Sequence, residues 1–250
     1  MDIRNPITFN EKIISTININ RLNKSFFADK LNLPLVLSKY NIEIKTPKVL
    51  AILNTEKELL DFNFKQLEPM GFVIKANHGS GLNMIFNSGN SPSIREISKI
   101  NSWFTYDSSI NSRETHYNLI AKKVFIEELL DSNIQDYKFH CYNGKVEFIQ
   151  IDVDRFIEHR RNIYDRNWNL QNFELNYAKT YYEIDKPENL DEMLQLAEKI
   201  SNLAIFDNYL RVDFYLNRNV IYLGELTFHP GGGVEPFDSY ESDLYMGSFF

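Results

Sequence analysis

One cysteine, Cys141, is all the sequence holds, which excludes an internal disulfide and a zinc site built from cysteines. No apolar run is long enough to span a bilayer. Met1-Asp2-Ile3-Arg4-Asn5-Pro6 lacks a basic start followed by an apolar segment, so no signal peptide is expected and the cytoplasm is the expected location. Basic residues are in deficit: 27 Lys and Arg stand against 34 Asp and Glu, a net charge of −7. A general nucleic-acid binder needs the opposite balance, so nucleic acid is not an expected partner, although a local basic site stays open. The Walker phosphate loop, the dinucleotide fingerprint, H-E-x-x-H, the EF-hand loop and a Ser/His/Asp arrangement are all missing. So are internal repeats and low-complexity linkers. What remains is 250 residues of ordinary hydrophobic content, enough for one large or two small domains with a sizeable core.

The chain alternates helical and extended signals. Thr8 to Ile17 opens with a capping-box pattern, Thr8 with Glu11 three residues on. Phe26 to Tyr40 is apolar-periodic with an interruption at Pro34, and Glu56 to Phe62 is a short helix candidate. Phe72 to Ala76 and Asn83 to Phe86 read as strands around the loop Asn77-His78-Gly79-Ser80-Gly81. Ser93 to Phe104 reads as helix and Lys123 to Glu127 as strand. Tyr137–Tyr142 and Val146–Val153 flank Asn143-Gly144, the strongest short hairpin signal. Cys141 shares a strand face with Tyr137 and Phe139, as a small buried hydrophobe would. Asn189 to Ala204 is the best helix: Asn189 stands at the cap, Glu192 at the box position, and Leu190, Met193, Leu194, Ala197, Ile200 and Ala204 form one stripe. Strands and helices in this mixed order, with hairpins dominating the second half, predict an α+β fold with antiparallel sheets.

The most informative stretch is Arg211-Val212-Asp213-Phe214-Tyr215, followed after Asn217-Arg218-Asn219 by Tyr222-Leu223-Gly224-Glu225-Leu226-Thr227. Its period of two predicts a hairpin that carries Arg211, Asp213 and Glu225 on one face. Two carboxylates on adjacent strands can share Mg²⁺ with phosphate oxygens; a solvated ion pair is the alternative. Lys75 to Gly81 offers a strand-end lysine and a glycine loop able to approach an anion closely, or else a plain turn. Glu127-Glu128-Leu129-Leu130 could be a hinge whose backbone reads a base edge, or a solvated strand end. Lys138 lies on the face opposite Tyr137 and Phe139, where a buried ammonium needs a partner. Arg155, Arg160 and Arg161 make a local basic patch suited to carboxylate or phosphate groups, or a solvated loop. His229-Pro230-Gly231-Gly232-Gly233 leaves room beside the Glu225 strand, or forms a flexible exit loop.

Taken in order, these pieces resemble the ATP-grasp superfamily, and most of all its TupA-like branch, associated with teichuronopeptide and surface-polysaccharide synthesis. Further matching segments are Asn5 to Lys12, Asp29-Lys30, His116-Tyr117, Asp154-Arg155, Tyr164-Asp165 and Trp168-Asn169. The resemblance implies an ATP-grasp fold: two α+β subdomains gripping ATP between antiparallel sheets, behind a short N-terminal helical region. Residues 1–62 would be that helical region, 63–127 the lid subdomain and 128–250 the catalytic subdomain.

The resemblance also implies roles. Lys75 and Lys123 would touch ATP phosphates, joined by Lys138, and Gly79, Ser80 and Gly81 would close over them as a lid. Glu127, Glu128 and Leu130 would hold adenine and Asp136 the ribose. Asp213 and Glu225 would hold Mg²⁺, with Thr227 where the superfamily at large places asparagine, which leaves a second metal position open. Arg211, with Lys138, would serve the charged acyl-phosphate and tetrahedral species. The implied reaction is ATP-dependent ligation of a carboxylate to an amine, attaching an amino acid to a uronic-acid or other glycan carboxylate. A sugar-modifying transferase or kinase using the same ATP site is the alternative, and a non-catalytic nucleotide-binding module is a third reading.

Overall fold

Two antiparallel sheets of unequal size face each other in the computed structural model, which describes residues 1–131, 134–154, 157–203 and 208–250. The smaller sheet contains β1 (Val49–Leu53), β2 (Phe72–Ala76), β3 (Asn83–Phe86) and β4 (Val124–Glu128), in the order β1-β4-β2-β3. The larger contains β5 (Gln135–Tyr142), β6 (Lys145–Val153), β7 (Arg160–Asp165), β8 (Tyr209–Asn217) and β9 (Val220–Thr227), in the order β7-β6-β5-β8-β9. The helices are α1 (Phe9–Thr16), α2 (Arg21–Ala28), α3 (Leu33–Lys39), α4 (Glu56–Asp61), α5 (Ile94–Asn101), α6 (Ser108–Asn111), α7 (Leu190–Leu203) and α8 (Tyr240–Gly247). Among the described residues, no helix is long and apolar enough to cross a membrane.

Alternation along the strands decides which face goes where. In β2, Phe72, Ile74 and Ala76 join Val124 and Ile126 of β4 in a core that also buries Leu59, Ile100 and Trp103. Val73, Lys75 and Glu127 take the other face, toward the larger sheet. In that sheet, Phe139, Cys141, Ile149, Val212 and Phe214 pack against Met193, Ala197 and Ile200 of α7 and against Phe27, Val36 and Leu37 of the N-terminal helices. Its opposite face carries Asp136, Lys138, His140, Arg211 and Asp213, all buried although polar. A third cluster closes one end: Phe9 and Ile13 of α1 and Met246 of α8 meet Tyr142, Phe148 and Tyr209.

Local chemistry sets several boundaries. Thr8 accepts from the Glu11 amide at 3.3 Å, and Glu11 accepts from the Thr8 amide at 3.2 Å, so the capping box forms. Asn143 and Gly144 have φ of 49° and 80°, the left-handed pair that an Asn-Gly hairpin turn uses.

Four expectations change. The break within residues 26–40 falls at Asp29–Asn32, and Pro34 sits in the first turn of α3, where its missing N–H costs nothing. The division at residue 62 cuts across a sheet: β1 pairs with β4, while α1 to α3 contribute to the cores of the larger sheet. Arg160 and Arg161 lie on a strand, β7, paired with β6. The Asn189 side chain makes no cap: its Oδ1 is buried without a partner. Ala204, the last residue of the expected stripe, lies outside the described residues.

Candidate active site

A cavity of about 500 Å³ opens between the two sheets. Val73, Lys75 and Ile85 wall it from the smaller sheet, Glu127 to Asp131 line the crossing to the larger one, and Asp136, Asp152 and Tyr215 wall the far side. The strand period contributes: Val73 and Lys75 alternate inward on β2 and Glu127 does so on β4, facing Asp136 of β5, Asp152 of β6 and Tyr215 of β8. Gly224 contributes by what it lacks, since a Cβ there would stand 2.6 Å from Cε2 of Tyr215.

Next to the cavity the charges pair off. Lys75 bonds Glu127 and lies 5.4 Å from the Tyr215 ring centre. Burial alone would lower the Lys75 pKa, but Tyr215, Glu127 and Glu225 together raise it, so the ammonium persists. Lys138 bonds Asp136 and stands 3.6 Å from Asp213. Arg211 grips Asp213 with two bonds of 2.8 Å, through Nε and Nη2, and donates to Thr227 Oγ1 at 3.2 Å. Burial pushes Asp213 upward against the pull of Arg211 and Lys138. Glu225 faces Asp213 across the β8–β9 pair. It accepts from the Tyr117 hydroxyl at 2.9 Å and lies 3.2 Å from Lys30 Nζ. Burial would raise its pKa, yet Lys30, Arg211 and Tyr117 bring it below the ordinary carboxylate value. Each of these carboxylates is thus held beside a cation.

The structure gathers Lys75, Glu127, Asp136, Lys138, Arg211, Asp213, Glu225 and Thr227 between the sheets. Other candidates fall differently. Leu130 lines the cavity. Glu128 also lines it, but its carboxylate accepts from the Lys48 amide at 2.9 Å. Lys123 immediately precedes β4, with its amide donating to Asn77 Oδ1 at 2.9 Å. Gly79 is held by Lys30, which donates to its carbonyl at 2.8 Å, so the expected lid is pinned at its base and open only toward Ser80 and Gly81. Around Gly81 a Cβ would meet nothing within 4 Å.

The basic patch dissolves into ion pairs. Arg160 bonds Glu158 and the Tyr181 hydroxyl, and Arg161 is buried against Asp152 at 2.6 Å and Glu235 at 3.3 Å. Arg155 lies outside the described residues. The glycine run is neither roomy nor a loose exit. Gly231, Gly232 and Gly233 all have positive φ, and a Cβ at Gly232 would stand 2.1 Å from the Ser112 carbonyl. Glycine there permits close backbone packing.

Sequence reasoning gave no role to Lys30, Tyr117 or Tyr215. Asp29-Lys30 and His116-Tyr117 stand out as matching segments, but nothing in their spacing ties them to Glu225. Tyr215 was visible as the next inward position after Asp213.

Comparison with known proteins gives the arrangement its context. The sequence model of the TupA-like ATP-grasp family matches residues 16–250. A search of curated proteins finds no match. Among solved structures, D-alanyl-alanine synthetase A from Vibrio cholerae O1 biovar eltor str. N16961 superposes with a TM-score of 0.51 at 13% identity, covering 86% of this chain and 60% of that one. D-alanine–D-alanine ligase from Bacillus anthracis complexed with ATP gives 0.47 at 20% identity, with 85% and 57% covered. The ATP-grasp ligase PsnB complexed with minimal precursor, Mg and ADP gives 0.45 at 14% identity, with 82% and 52% covered. The chain therefore spans between about half and three fifths of these proteins. The fold likeness rests on the first of them, and the match over residues 16–250 decides the family: the chain belongs to the TupA-like ATP-grasp family.

Proposed function

We propose that the chain binds Mg-ATP between its two sheets and uses it to join a carboxylate to an amine. The observation that carries this reading is the facing pair of buried Asp213 and half-buried Glu225, beside Arg211, Lys138 and Lys30 and next to the cavity that Lys75 lines. Among the described residues, no group of three or more His, Cys, Asp or Glu forms a metal cage. Mg²⁺ is usually held by one or two carboxylates plus substrate phosphates. Asp213 and Glu225 would hold it, with Thr227 beside them; bound there, it would neutralise phosphate charge. Lys75 and Lys138 would turn toward phosphates, Asp136 toward the ribose, and the backbone from Glu127 to Leu130 toward adenine.

In the proposed reaction a substrate carboxylate oxygen attacks the γ-phosphorus and the bond to ADP breaks. An amine nitrogen then attacks the acyl carbon, phosphate leaves and the nitrogen gives up a proton. Arg211, fixed by its fork on Asp213, would stabilise the developing oxyanion. The family's association with surface polysaccharides points to a uronic-acid or other glycan carboxylate and an amino acid as substrates, and to a cytoplasmic setting where ATP is supplied.

The test is incubation with Mg-ATP and a panel of amino acids with uronic acids, read by mass spectrometry. ADP, phosphate and a new amide are expected; a stable phosphoester would make the protein a kinase instead. Mg-ATP at about a hundredfold excess over Kd should stabilise the fold by about 2.7 kcal/mol, and no thermal shift at millimolar Mg-ATP would favour a non-catalytic module. Asp213→Asn and Glu225→Gln should abolish ADP formation and weaken Mg-ATP binding. Full activity in Glu225→Gln would remove it from the metal site.

A further inference from the structure

Lys30 stands where three parts of the molecule meet. It belongs to the short turn Lys30–Asn32 between α2 and α3. Its ammonium donates to the Gly79 carbonyl of the β2–β3 loop at 2.8 Å and lies 3.2 Å from Glu225 Oε1 on β9. The Tyr117 ring lies beneath it, 5.4 Å from Nζ, and the Tyr117 hydroxyl bonds the same Glu225 oxygen. The preceding residue repeats the pattern: Asp29 accepts from the Asn77 side-chain amide at 3.0 Å while capping the Leu31 amide. Two consecutive residues thus hold the loop at two alternate positions, 77 and 79. The far side of the loop base is held separately, with Asn77 donating to the Ala121 carbonyl at 3.1 Å and His78 bonded to the Trp103 carbonyl at 2.8 Å.

We propose that Lys30 is a positioning residue that fixes the β2–β3 loop of the smaller sheet against Glu225 of the larger one. The inference rests on the reading of that loop and of Glu225 as nucleotide machinery. An ammonium has three donors and no acceptor role, so one compact charge can bridge a backbone carbonyl and a carboxylate approaching from different directions. The Lys30 side chain is only 9% exposed, and a buried ammonium must be partnered. Its partners lie on two different sheets, so its removal changes how the sheets are placed relative to each other more than how either one folds. The N-terminal helical segment, for which the sequence suggested no chemistry, thereby takes part in the site as a clip between its two halves.

Amide hydrogen exchange on the full chain without nucleotide tests this directly. In Lys30→Met, exchange across residues 77–83 should rise about tenfold or more, the signature of a lost local restraint, while β5, β6 and β8 stay at wild-type rates. Lys30→Arg keeps a bridging cation and should restore most of the protection. Asp29→Ala, which cuts the second point of the clip, should loosen the same segment, and it serves as the independent variant if Lys30→Met folds poorly. With Mg-ATP and substrates, kcat should fall in Lys30→Met by a larger factor than Kd for Mg-ATP rises. Unchanged exchange at 77–83 in Lys30→Met and Asp29→Ala, or a rise spread evenly over the chain, would overturn the proposal. Failure of the wild type to bind Mg-ATP would overturn the nucleotide reading instead, and the exchange comparison without nucleotide would still decide whether Lys30 is the clip.

Discussion

Arg211 shows how one contact alters what a substitution means. From the sequence alone, Arg211→Ala should spare nucleotide binding and lower kcat by roughly 10²–10³, as losing one oxyanion donor does. The structure gives Arg211 a second task, because both of its bonds to Asp213 are buried. Removing one partner of a buried ion pair leaves an uncompensated charge and costs about 3–5 kcal/mol. Arg211→Ala should therefore lose stability on that scale in urea melts, and Mg-ATP binding should weaken with it as Asp213 loses its orientation. Arg211→Lys keeps the charge but not the planar fork, so it should recover much of the stability and little of the turnover. Equal stability of wild type and Arg211→Ala would show that the fork does not hold Asp213.

At the scale of elements, legibility followed how far local chemistry alone decides a segment. The strand Phe72–Ala76, the Asn143-Gly144 hairpin and the box at Thr8 need only near neighbours, and they stand where the sequence suggests. β7 was hidden because its inward Arg161 is neutralised by Asp152 on the neighbouring strand, so a buried strand carries the composition of a solvated loop. β1 was hidden because Val49–Leu53 is a short apolar run with no period to choose between strand and helix. In the site, alternation placed Arg211, Asp213 and Glu225 on one face, but the Lys30 contact joins distant segments that no spacing relates. The two caps make a paired test. Thr8→Ala should cost about 1 kcal/mol, the usual loss of a working cap. Asn189→Ala should stay within about 0.5 kcal/mol, the range of substitutions away from such features, because its side-chain oxygen bonds nothing. Equal losses in thermal melts of the two variants would mean that Asn189 caps α7 after all.

For the whole molecule, the buried ionisable groups set a pH profile. Burial holds four of the five histidines neutral. It lowers His78 to about 4 and His116 to about 3, and His140 and His229 fall well below their ordinary value. Cations reinforce it: Lys24 Nζ is 2.9 Å from His229 Nε2, and Arg211 opposes a charge on His140. The unfolded chain takes up these protons near pH 6.5, so below that value it binds more protons than the folded state and stability falls as pH falls. Glu114 acts in the opposite sense. Burial, with the nearby Glu225 charge, raises it to about 8, so the folded state keeps a proton that the unfolded chain releases above its ordinary 4.5, and stability declines as pH rises from there to about 8. The four histidines act together, so stability should fall steeply as pH drops below about 6.5, while Glu114 gives a shallower decline on the alkaline side. Urea melts followed by circular dichroism from about pH 5 to 8.5 should show this lopsided curve, steep on the acid side and shallow on the alkaline side. Glu114→Gln removes the buried carboxyl raised to about 8, so its alkaline limb should flatten while its acid limb stays steep. A wild-type curve flat between pH 5 and 7 would mean that the histidines are not buried neutral.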